Sequence, residues 1–82
     1  MYEVVLKDVP ARRSVHLERV VHKHNRSLDH TACTALVQRV MAGGVEVIGR
    51  YKEAHVAENL LAELKYHGAN GEVREPDPEA EV

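Results

Sequence analysis

Two rhythms of hydrophobic and polar positions run along this chain, and the points where one gives way to the other set its element order. Tyr2, Val4 and Leu6 alternate with Glu3, Val5 and Lys7, the period of a half-buried strand over 2–7. Asp8-Val9-Pro10 ends it, because proline removes a backbone donor. From about Ser14 the rhythm is helical, with Leu17, Val20, Val21 and His24 on one face and Arg19, Lys23 and Arg26 elsewhere. Ser14 is the expected N-cap, with Glu18 toward the positive end of the helix dipole. After a break at Asn25-Arg26-Ser27, a second helix is predicted over 29–42, capped by Asp29 or Ser27. Its apolar stripe is Ala32, Cys33, Leu36, Val37, Val40 and Met41, and Gly43-Gly44 closes it.

A second strand is predicted over 45–49 and a third helix over 53–67. Val56, Ala57, Leu60, Leu61 and Leu64 form that helix's stripe, Glu58, Glu63 and Lys65 its wet side, and Gly68 its C-cap. A last strand covers 70–75. The predicted fold is therefore α+β: a two-layer sandwich in the order β-α-α-β-α-β, a three-stranded sheet with three helices on one face. One domain spans 1–75. Residues 76–82, proline-rich and acidic, are too poor in apolar residues to pack and are expected to be disordered.

The glycines of "GGVEVIGRYKEAHVAE" (43–58) raise the question of a phosphate loop. Such a loop sets its glycines directly before a helix, followed by Lys and a hydroxyl residue. Here Gly43 and Gly44 close a helix and open a strand, and "RYKEA" after Gly49 supplies no Ser or Thr. The stretch reads as a joint.

Composition narrows the function classes. At 82 residues, 44% hydrophobic and 29% charged, the chain is an ordinary globular domain, with no Trp or Phe and three Tyr. That scarcity of aromatics argues against base stacking on nucleic acid. A single Cys33 cannot pair internally, and no charged, apolar and small-residue leader or membrane-length apolar run is visible, so the expected setting is cytoplasmic. Net charge is −2, yet its sign is unevenly spread. Lys7, Arg12, Arg13, Arg19, Lys23 and Arg26 outnumber Glu3, Asp8 and Glu18 in the first 26 residues, whereas Glu75, Asp77, Glu79 and Glu81 crowd the end.

Bond-making chemistry finds little support. His22 and His24 are two apart on a helix, so they project roughly 200° apart and cannot share an ion. His30 and Cys33 share a face, but a zinc site needs about three or four ligands. Cys33 sits on an apolar stripe, where a small core residue is expected rather than a nucleophile. Glu53, Glu58 and Glu63 rotate away from one another at five-residue spacing. No metal, no cofactor and no enzymatic activity are expected, nucleic acid is an unfavoured partner, and the basic first helix points to a protein surface.

"MYEVVLKD", "LDHTACTALVQRVMAGGVEVIGRY" and "VAENLLAEL", in that order, resemble the ClpS adaptor family over residues 1–75, with small insertions near 26–28 and 53–55. The same fold belongs to the C-terminal domain of the bacterial ribosomal stalk protein, to which 4–7, 57–58 and 68–73 are similar. The ClpS resemblance implies an adaptor that holds the N-terminal residue of a substrate and delivers it to a AAA+ unfoldase with its Clp protease. It implies a peptide-binding pocket of Asp8, Leu17, Val37, Val40 and Met41. Val9 and Pro10 stand where that family carries further acids, and Met41 where it carries a histidine. A buried α-ammonium group needs anionic partners, so this departure weakens the implied pocket's grip on a free N-terminus.

The expected function is thus a non-enzymatic, adaptor-like interaction module, with Arg12, Arg13, Arg19 and Lys23 as its docking face. Two alternatives stand beside it: a stalk-like domain binding translation factors, which lacks here the stalk protein's lysine-bearing helix segment, and a self-associating structural domain.

Overall fold

The computed structural model describes residues 1–75. Their order is β1 (Tyr2–Asp8), a 3-10 turn (Ala11–Arg13), α1 (Ser14–His24), α2 (His30–Met41), β2 (Glu46–Tyr51), α3 (Ala54–Tyr66) and β3 (Asn70–Arg74). The α+β order expected from the sequence is the one observed. The acidic tail, 76–82, lies outside the described residues.

The sheet is antiparallel in the order β2-β1-β3, so the first strand is central and both later strands are edges. Central placement explains why Val4, Val5 and Leu6 are all fully buried despite the alternation. Val4 and Leu6 join the helix-side core, whereas Val5 lies on the opposite face, outside that cluster. There it pairs with Val47 and Glu72 beneath a charged lattice of Lys7 to Glu72 (3.1 Å), Arg74 to Glu72 (2.6 Å) and Arg50 to Glu3 (2.8 Å). Long side chains that cover an apolar residue with their stems while their heads pair in water close that face without a second layer of helices.

A bulge shapes β2. Val4 pairs with Gly49 and Val5 with Val47, leaving Ile48 as the extra residue, and Ile48 turns into the core at 1% exposure. A Cβ at position 49 would lie within 2.8 Å of the Tyr51 ring, so a larger residue there would have to displace that ring. That ring's hydroxyl donates to the His24 carbonyl at 2.8 Å, tying the end of α1 to β2.

The helices bury the stripes read from the sequence. Leu17, Val20 and Val21 of α1, Cys33, Leu36, Val37 and Val40 of α2, and Ala57, Leu60 and Leu64 of α3 meet Val4, Leu6 and Ile48 in one core. Helix α3 lies across all three strands, and α1 packs against both α2 and α3. Two local expectations are corrected. Ser14 is not a cap but the first helical residue, because Pro10 starts the winding early and its carbonyl accepts from Arg13 N at 2.9 Å. Met41 leaves the apolar stripe and is 41% exposed, since α2 ends there at the turn toward β2. Asp29 does cap α2, accepting from Ala32 N at 2.7 Å, while Ser27 bonds Asn25 instead. Gly43 and Gly68 hold φ of +102° and +85°, a region that side chains resist, and so end α2 and α3.

Candidate docking surface

A concavity of about 530 Å³ runs along the free edge of β2. Its polar side chains are already engaged within the chain. Asn25 Nδ2 donates to the Ile48 carbonyl at 2.9 Å, Arg39 pairs with Glu46, Arg50 pairs with Glu3, and the Tyr51 hydroxyl is bound to His24. An edge strand whose central carbonyl is taken by a side chain is protected against strand addition. This groove therefore reads as the seam that closes the 25–28 loop onto the sheet.

A second groove has the opposite character. Two adjoining concavities of about 420 and 240 Å³ share Tyr66 and His67 in their walls, and together they are termed the channel between α1 and the end of α3. His16, Arg19, Val20, Lys23 and Glu63 line the larger part, and Pro10, Arg12, Arg13 and Gly68 the smaller. Steps of three and four residues put positions 12, 16, 19, 20 and 23 along one side of the α1 segment. On the facing element, the Gly68 turn stops α3 at Tyr66 and leaves that ring 84% exposed.

Aromatic geometry fixes the channel's middle. The His16 and His67 rings stack with centroids 5.7 Å apart and planes 4° from parallel. Tyr66 meets His67 edge-on at 5.3 Å, and His67 Nδ1 is buried without a protein partner. Charge is uneven. Lys23 Nζ bonds Glu63 Oε1 at 3.1 Å, and His24 Nε2 lies 3.4 Å from Glu63 Oε2. Partial burial pushes the Glu63 pKa up, but the hydrogen bond and charge of Lys23, with His24, outweigh it and hold the carboxyl below its ordinary value. Arg12, Arg13 and Arg19, all exposed, make no ion pair among the described residues.

The four residues expected to form a docking face thus surround this channel together. The five expected pocket residues are placed differently. Leu17, Val37 and Val40 meet inside the core at 0, 1 and 2% exposure, while Asp8 lies exposed at the end of β1 and Met41 at the end of α2. None of these five lines any of the three concavities above. Sequence reasoning missed Tyr66, His67 and Glu63 as surface partners of α1. Tyr66 could have been found as an aromatic standing off the Leu60 and Leu64 stripe.

Cys33 is fully buried, and burial, then the charges of Asp29 and Glu18, push its thiol pKa up, the opposite of what an activated nucleophile needs. His22 Nδ1 sits 3.0 Å from the Leu28 carbonyl, occupied in a loop contact. Among the described residues no group of three or more His, Cys, Asp or Glu is placed to hold a metal ion, and no helix is long and apolar enough to cross a membrane. No protein-family model matches the chain, and no curated protein matches it either.

Proposed function

We propose that this chain is a non-enzymatic protein-interaction module, adaptor-like, that docks a partner protein on the channel between α1 and α3. The observation that carries this reading is the group of exposed guanidinium groups, Arg12, Arg13 and Arg19, without an ion-pair partner among the described residues, around a channel that also displays Tyr66. Arginine and tyrosine are the side chains over-represented in binding hot spots. Resemblance to the ClpS family supports a AAA+ unfoldase and substrate N-termini as partners, and the single reduced thiol suits a cytoplasmic setting. With Leu17, Val37 and Val40 inside the core, N-terminal-residue binding at the implied pocket requires α1 and α2 to part. Docking on the α1–α3 channel needs no such rearrangement.

Capture from native cytosol tests the reading. Wild-type domain is expected to retain an unfoldase that the Arg12→Glu, Arg13→Glu, Arg19→Glu variant loses. Retention of ribosomal proteins or translation factors instead would favour the stalk-like alternative, and a dimer by light scattering the self-associating one. Equal capture by wild type and variant would remove the channel from the account.

A further inference from the structure

Resting on the docking reading above, we infer that the occupant of the α1–α3 channel is an acidic peptide segment of its partner, anchored by an apolar side chain. The two parts of the channel ask for different chemistry. Around its smaller part stand Arg12 and Arg13 with Pro10 and Gly68, which offer two guanidinium forks and no carboxylate. Guanidinium forks match carboxylates in two-pronged geometry.

The larger part is lined by Val20, the stacked His16 and His67 rings and the exposed Tyr66, together with Arg19, Lys23 and Glu63. Val20 and Tyr66 in its wall offer contact to one apolar side chain of the peptide. Lys23 is already held by Glu63, which leaves Arg12, Arg13 and Arg19 to meet the incoming acids. Arg12 and Arg13 lie on the 3-10 turn and Arg19 on α1, so the incoming acids are spread along the peptide rather than clustered at one position.

Charge alone would also attract nucleic acid, but the channel speaks against it. Glu63 stands within it as a fixed anion, and Tyr66 is its one fully presented aromatic ring among the described residues, short of the successive stacking platforms a strand of bases uses. A peptide can set its acids on the arginines and keep its apolar anchor near Glu63. A regular phosphate backbone cannot choose in this way.

Fluorescence anisotropy on the whole chain tests the inference with a short labelled peptide of Glu and Leu, its Gln counterpart and a single-stranded oligonucleotide. The Glu peptide is expected to bind about tenfold more tightly than the Gln peptide, and to lose about tenfold in Arg12→Glu, Arg13→Glu but not in Lys52→Glu. Its affinity is expected to fall as salt rises. Equal binding of Glu and Gln peptides, tighter binding of the oligonucleotide, or indifference to the arginine reversal would overturn the acidic specificity. Amide-shift mapping separates this failure from failure of the docking reading. Charge-indifferent peptides that still shift residues 12–23 and 63–68 leave the channel as the docking site, whereas shifts confined elsewhere remove both.

Discussion

Replacing Glu63 by Gln removes the ionic clasp between α1 and α3 while leaving the side chain's volume in place. Its carboxylate receives Lys23 at 3.1 Å and lies 3.4 Å from His24, with the Glu63 side chain 31% exposed and Lys23 64% exposed. The bare Coulomb attraction at such a distance is about 4 kcal/mol at an intermediate dielectric, but solvent reaches both partners and screens it heavily. An exposed pair contributes about 0.2–1 kcal/mol, and a second partner in reach places this clasp near the upper end. For a domain of this size, a loss of about 1 kcal/mol lowers the melting temperature by roughly 4–8 °C. The pH dependence has a definite sign. Because the folded pKa of Glu63 is depressed, its contribution is complete above the unfolded value of about 4.3 and disappears as pH falls through the lower folded value. Thermal melts followed by circular dichroism should therefore separate wild type from Glu63→Gln at neutral pH and bring the two together in acid. A gap that persists unchanged in acid, or no gap at neutral pH, would refute the electrostatic account of how α1 is held to α3.

Three further outcomes follow from local geometry. Asp29→Ala removes the acceptor of Ala32 N and should cost about 1 kcal/mol in denaturant unfolding, with Asp29→Asn largely retaining the cap. Gly68→Ala forces a side chain into φ of +85° beside Pro10 and should cost about 1–2 kcal/mol, read as a lower denaturant midpoint with unchanged slope. Cys33 should resist alkylation in native buffer and react once denaturant opens the core, and fast labelling of the native protein would contradict its burial.

Much of the fold was legible because the burial stripes are long and periodic. Leu17 with Val20 and Val21, and Leu60 with Leu64, repeat at helical spacing, and the Gly43 and Gly68 turns mark their ends. What escaped is tertiary. The Ile48 bulge depends on pairing with Val4 and Val5, which no local rhythm encodes, and the charged lattice over Val5 depends on which strands flank β1. The site divided in the same way. Arg12, Arg13, Arg19 and Lys23 were readable as a basic helix side, but Tyr66, His67 and Glu63 come from α3, and only the packing of α3 beside α1 creates the channel. Leu17, Val37 and Val40 carry a periodicity that serves a core wall and a pocket wall equally, so spacing could not decide between the two.

Hydrogen–deuterium exchange of the domain in native cytosolic extract, compared with the domain in buffer, bears most directly on the claim that the α1–α3 channel is where another protein docks. The account expects added protection over 12–24 and 63–68, with 46–51 along the β2 edge unchanged. Protection centred on the β2 edge or on the charged face of the sheet, with α1 exchanging as it does in buffer, would contradict it.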